Sequence, residues 1–154
     1  MKYIFIAVML LACAAHAGVK FISSGGFPAG TLITATSGDF LIEELKKGDK
    51  ILAFSDDNLV QSEVRDTYDK KTMLFTIQTN YGKLVTTRYH LLLTWKGFAE
   101  AQSFKAGDEV AYLKNGRRVW ARIKSVKSGK TGTVYNLQTG PPHTFIANGF
   151  LVHN

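Results

Sequence analysis

The ten residues LKKGDKILAF at 45–54 are answered by FKAGDEVAYL at 104–113, an offset of 59 positions. In each stretch a Gly-Asp turn feeds a run of apolar residues, the punctuation of a turn entering a strand. Further on, TIQT at 76–79 is echoed by NLQT at 136–139, an offset of 60. Two concordant offsets describe a duplication, with halves of about sixty residues that each have one face to bury. The expectation is a single domain in which two pseudo-twofold-related halves close over a shared core, with any site where the halves meet.

Outward from these blocks the chain reads as strands and turns. Apolar or alternating runs cover Leu32 to Ala35, Lys50 to Phe54, Leu74 to Thr79, Leu84 to Thr87, Leu91 to Trp95, Glu109 to Leu113, Val119 to Val126, Val134 to Gln138, Thr144 to Ala147 and Phe150 to Val152. They are rich in Ile, Val, Thr, Phe and Tyr and bounded by Gly, Asn, Asp and Pro. Asn115-Gly116 and Asn148-Gly149 accept the positive φ of tight hairpin turns. Only Ile42 to Lys46 suggests a helical turn, so the fold class is all-β. Trp95 and Trp120 are expected to pack in or beside the core.

The 154 residues, 45% hydrophobic, suffice for one core and are short for two. Met1 to Ala17, MKYIFIAVMLLACAAHA, carries an early Lys2, an apolar run and a small-x-small exit at Ala15-His16-Ala17. It reads as a secretory signal peptide, which predicts a secreted, extracellular protein. A lipid anchor through Cys13 is the lesser alternative, on the lipobox-like Leu10-Leu11-Ala12-Cys13. Cys13 is the single cysteine, so a chain cut after Ala17 relies on its core without disulfides. The formal charge is +7, but the basic residues come as scattered pairs with acids nearby and no aromatic stripe between them. That pattern is a solvated face and predicts no nucleic-acid partner.

Few polar residues could carry chemistry. Beyond the leader there are three histidines, His90, His143 and His153. Thr87-Arg88-Tyr89-His90 sets a hydroxyl three residues before an imidazole at the end of a strand. His153-Asn154 sets an imidazole beside a side-chain amide, and such an amide can attack its own main-chain carbonyl to give a succinimide. Widely spaced histidines without cysteine partners predict no metal. Gly48-Asp49 and Gly107-Asp108 read as turns in which Asp bonds its own backbone.

The order of these elements resembles a Hint domain, the self-processing module of inteins, bacterial intein-like domains and hedgehog C-terminal regions. FPAGTLI and IEELKKGDKILAF are similar to its opening, Thr87 to His90 to its Thr-x-x-His block, and VYNLQTGPPHTFIANGFLVHN to its closing blocks, together spanning residues 23–154. The resemblance implies a β horseshoe acting once on its own chain, as a monomer without cofactor. It implies that Thr87 and His90 polarise and protonate the peptide bond before the residue preceding Phe27. It also implies that His143 assists the C-terminal step and that His153 and Asn154 release a downstream segment.

The family places a nucleophilic Cys, or sometimes Ser, directly before the Phe; here Gly26 precedes Phe27. Either Gly26 replaces the Cys or a Cys is missing between Gly26 and Phe27. Ser23 and Ser24 lie upstream of the position the family uses. The resemblance therefore implies an intein-like element impaired at its N-terminal step, with C-terminal cleavage by Asn cyclisation retained. The alternative is an inactive secreted Hint-fold binding or structural module.

Overall fold

The computed structural model describes residues 25–154. The leader, with Cys13 and His16, and Ser23 and Ser24 lie outside the described residues.

Twelve strands form one antiparallel sheet: β1 Phe27–Pro28, β2 Leu32–Ala35, β3 Gly38–Leu41, β4 Lys50–Ser55, β5 Asn58–Thr79, β6 Lys83–Thr87, β7 Leu91–Thr94, β8 Gly97–Glu100, β9 Glu109–Lys114, β10 Arg117–Thr139, β11 Thr144–Ala147 and β12 Phe150–His153. The expected helical turn is a single 3-10 turn at Ile42–Glu44, and a second sits at Ala101–Ser103.

Two long strands, β5 and β10, run antiparallel along each other from Ile123↔Thr79 to Thr139↔Val64. Each lends its outer ends to short partners: β5 to β4 and β6, β10 to β9 and β1. This is the pseudo-twofold horseshoe the duplication predicts. The equivalence extends to single hydrogen bonds. Lys46 N–H donates to Asp49 Oδ2 and Lys105 N–H to Asp108 Oδ2, each at 2.9 Å. Gly48 N–H reaches Val64 O and Gly107 N–H reaches Ile123 O, each at 2.8 Å. Both glycines have φ of +95°, a left-handed conformation that side chains disfavour.

The change of offset from 59 to 60 has a structural cause. Between Ser128↔Phe75 and Thr131↔Met73, β10 spends one residue more than β5, a bulge present in one half only. A second kind of bulge is duplicated. Arg65 is the extra residue between Asp66↔Gln138 and Val64↔Thr139, and Lys124 the extra residue between Ser125↔Gln78 and Ile123↔Thr79.

Sequence reading left residues 127–133 and all of 58–73 without strand assignment, since both are largely polar and the first carries two glycines. In the fold Asn58 to Glu63 pair with β4, while the stretch from Val64 to Met73 joins β10 in a two-stranded ribbon whose hydrogen-bond ladder holds with little burial. The core lies between the halves, where Phe27, Ile33, Ile51, Ile77, Leu84, Leu92, Ile123, Phe145 and Phe150 are fully enclosed. Trp120 packs on a smaller cluster with Phe54, Ile146 and Leu151, as expected. Trp95 does not: it is 69% exposed at the β7–β8 turn, with the Lys96 ammonium 4.7 Å from its ring centroid. The turn projects the ring past the sheet edge, so local amphipathy rather than burial accommodates it.

Candidate functional site

β1 pairs with β10 through Phe27↔Tyr135 and Pro28↔Val134, which carries Gly26 against the middle of the horseshoe. There the Gly26 N–H donates to His90 Nδ1 at 3.0 Å, and the Thr86 hydroxyl donates to the Gly26 carbonyl at 2.9 Å. The peptide between Gly25 and Gly26 is therefore the one held by His90. Gly26 itself, with no inserted residue, fills the position before Phe27. The Phe27 ring lies 4.3 Å from the imidazole, with Phe145 completing an aromatic wall.

Both glycines are sterically required. A Cβ on Gly25 would fall 2.2 Å from His90 Nδ1. At Gly26, φ is +152° and a Cβ would fall 2.8 Å from Val134 Cγ2.

His90 is fully buried, and its pKa is pushed down to about 3, first by loss of solvation, then by the positive charge of His153 and of Lys70. The ring is neutral at ordinary pH. Because Nδ1 accepts from Gly26, the proton resides on Nε2, which has no hydrogen-bond partner among the described residues. In this state His90 positions the amide rather than donating to it. Thr87 is buried beside it, and its carbonyl accepts the His90 N–H at 3.2 Å. The hydroxyl on the Gly26 carbonyl belongs to Thr86, which sequence reading passed over. Its register on β6 aims it inward, information that spacing in the sequence does not contain.

The second cluster is built at the end of β12. Thr144 fixes β11 to β4 by donating its hydroxyl to Phe54 O at 2.7 Å and accepting Phe54 N–H at 3.0 Å. β12 then places His153 opposite Thr144 on one side and opposite Leu91, the neighbour of His90, on the other. His153 packs on Phe98, with ring centroids 4.9 Å apart, and its Nδ1 contacts the Asn154 carbonyl. It also walls a groove of about 330 Å³ shared with Phe54, Leu93, Phe98 and Arg118.

The Asn154 side chain is held at both ends. Nδ2 donates to Leu137 O at 3.1 Å, and Oδ1 accepts from the Thr139 hydroxyl at 3.3 Å. Its backbone N–H reaches His143 O at 3.1 Å. His143 is exposed, with φ of +65°, and bonds the Thr139 carbonyl through Nδ1 at 2.9 Å. The structure thus brings Gly26, Phe27, Thr87 and His90 together, and His143, His153 and Asn154 together. His153 is the link between the two clusters. Among the described residues no group of His, Cys, Asp and Glu could hold a metal ion.

No model of a known protein family matches the chain, and no curated protein matches it. Solved structures do. A bacterial intein-like domain from Clostridium thermocellum is 30% identical, with 84% of this chain and 98% of that one covered and a TM-score of 0.74. A DnaB intein from Synechocystis sp. PCC 6803 is 24% identical over 84% and 98%, with a TM-score of 0.79. The TvoVMA intein is 23% identical over 85% and 98%, with a TM-score of 0.76. With the all-β horseshoe, near-complete coverage of the intein-like domain and that level of identity, the chain belongs to the Hint family of intein-like domains.

Proposed function

We propose that residues 23–154 form a single-turnover, cis-acting self-processing domain in which the C-terminal half-reaction is assembled and the N-terminal one lacks its nucleophile. The observation that carries this reading is the threefold hold on Asn154: Thr139 on Oδ1, Leu137 on Nδ2, and His153 on the main-chain carbonyl. An amide fixed beside a carbonyl that a neighbouring imidazole polarises is arranged for cyclisation. At the other end Gly26 occupies the junction and has no side chain to attack the preceding carbonyl. No cofactor or second subunit enters the step. Met1 to Ala17 would export the precursor, and sequencing the N-terminus of the exported protein tests this, with Gly18 as the expected first residue.

The test of processing is intact-mass spectrometry on the full chain placed between two reporter domains, incubated with and without thiol. The expected result is release of the downstream reporter alone, independent of thiol, leaving a succinimide-terminated fragment that Asn154→Ala no longer produces. An unchanged mass, or release of the upstream reporter, overturns the proposal. A second reading, an inert scaffold, draws on Val134, whose side chain fills the space a Cβ on Gly26 would need; an unchanged mass is its expected outcome.

A further inference from the structure

The duplication holds one threonine pair whose members do different things. Thr79, at the end of TIQT, closes its own turn: its hydroxyl donates to Gly82 O at 2.9 Å and accepts the N–H groups of Tyr81 and Gly82, each at 3.1 Å. Thr139, at the end of NLQT, is fully buried, and its hydroxyl turns to Asn154 Oδ1 instead. Each lies across from a bulge in the partner strand, Thr79 from Lys124 and Thr139 from Arg65, and Thr139 continues the alternation of β10 in which Leu137 is buried and Gln138 is exposed. One hydroxyl is spent on the fold and the other is directed at the reacting amide.

Resting on the reading of Asn154 as the cyclising residue, we propose that Thr139 is a catalytic residue of that step. Nδ2 attacks the Asn154 main-chain carbon as the bond to the following residue breaks. One proton leaves Nδ2 and one arrives on the departing amine, so the step needs no co-reactant. The products are a C-terminal succinimide and a free amine. As Nδ2 gives up its proton, negative charge develops on Oδ1 through amide resonance, and that is the atom the Thr139 hydroxyl faces. A donor placed in advance on an atom that gains charge lowers the barrier. The Leu137 carbonyl on Nδ2 fixes the opposite end, so the amide cannot flip its nitrogen away from the carbonyl it must reach.

The experiment measures release of a reporter fused after Asn154 in the full chain, by intact mass, for the parent, Thr139→Val and Thr139→Ser, with melting temperatures alongside. Valine keeps the shape and loses the donor, whereas serine keeps the donor. Removal of a preorganised donor predicts release slowed about tenfold to a hundredfold in Thr139→Val. Thr139→Ser should stay within about threefold of the parent, and its melting temperature close to it. Parent-like release by Thr139→Val overturns the role while leaving Asn154 cyclisation standing. Equal slowing in a stably folded Thr139→Ser overturns it too, and does so even if Thr139→Val fails to fold. A parent that releases nothing overturns the cyclisation reading and this role with it.

Discussion

The first half of the horseshoe and the second share a hydrogen-bond skeleton and differ in what hangs on it. Thr31 and His90 are equivalent by position: Thr31 N–H reaches Pro28 O and His90 N–H reaches Thr87 O, and each residue's carbonyl receives the N–H that opens the following 3-10 turn. Thr31 directs its hydroxyl back to Pro28 O at 2.8 Å, within its own turn. His90 directs Nδ1 across 64 positions to Gly26. The same contrast separates Thr79 from Thr139. Duplication supplies rigid positions, and the candidate chemistry arises where one copy withholds a local bond and lends the side chain to a terminus of the domain.

The comparison can be broken outright at its C-terminal site. In a fusion carrying a downstream reporter, Asn154→Ala should abolish release, and His153→Ala should slow it by about a hundredfold or more, both read by intact mass.

A second intervention makes the halves alike. His90→Thr copies Thr31 and should lower stability at pH 7 by about 3 kcal/mol in denaturant titration, through lost aromatic packing and an orphaned Gly26 N–H. The same variant tests a pH dependence. The unfolded chain takes up a proton on this histidine near pH 6.5, whereas the folded one does so only at about 3. Between those values the unfolded state binds more protons, so stability falls as pH falls, by about 1.4 kcal/mol per unit from this group. His90→Thr should flatten that slope, and an unchanged slope would show that other groups cause it.

At the junction, Gly25→Ala should cost about 2 kcal/mol by displacing the imidazole. Gly26→Cys alone meets Val134, so thiol-dependent cleavage before residue 26 is expected mainly when it is combined with Val134→Ala. Equal cleavage by both variants would show that the strand yields without help.

The smallest effects test the shared skeleton. Asp49→Ala and Asp108→Ala each remove one turn hydrogen bond and should each cost about 1 kcal/mol. A difference above roughly 0.5 kcal/mol would mean that the two turns are equivalent in shape and not in energy.

Much of this was legible beforehand. The repeats at 45–54 and 104–113 foretold the two halves because Gly-Asp turns are dictated locally. The resemblance to Hint domains assigned Thr87 and His90 to one end of the chain and His143, His153 and Asn154 to the other, a grouping that composition and spacing alone do not contain. The ribbon of β5 and β10 was not legible, since its strands are defined by pairing with each other rather than by an apolar face. Thr86 and Thr139 were missed for a related reason. Nothing near Thr139 in the sequence distinguishes it from Thr79; the end of β12, fifteen positions away, does.

Both ends of the domain rest on one stretch of β10: Phe27 is paired with Tyr135, and the Asn154 side chain is tied to the carbonyl of Leu137. Positions two apart on a strand are separated by roughly 7 Å. A polypeptide that entered at Gly26 and left at Asn154 would therefore enter and leave beside the same stretch of strand. Entry and exit on one side suit a domain inserted into a surface turn of another fold, where chain ends that lie close together disturb the host least.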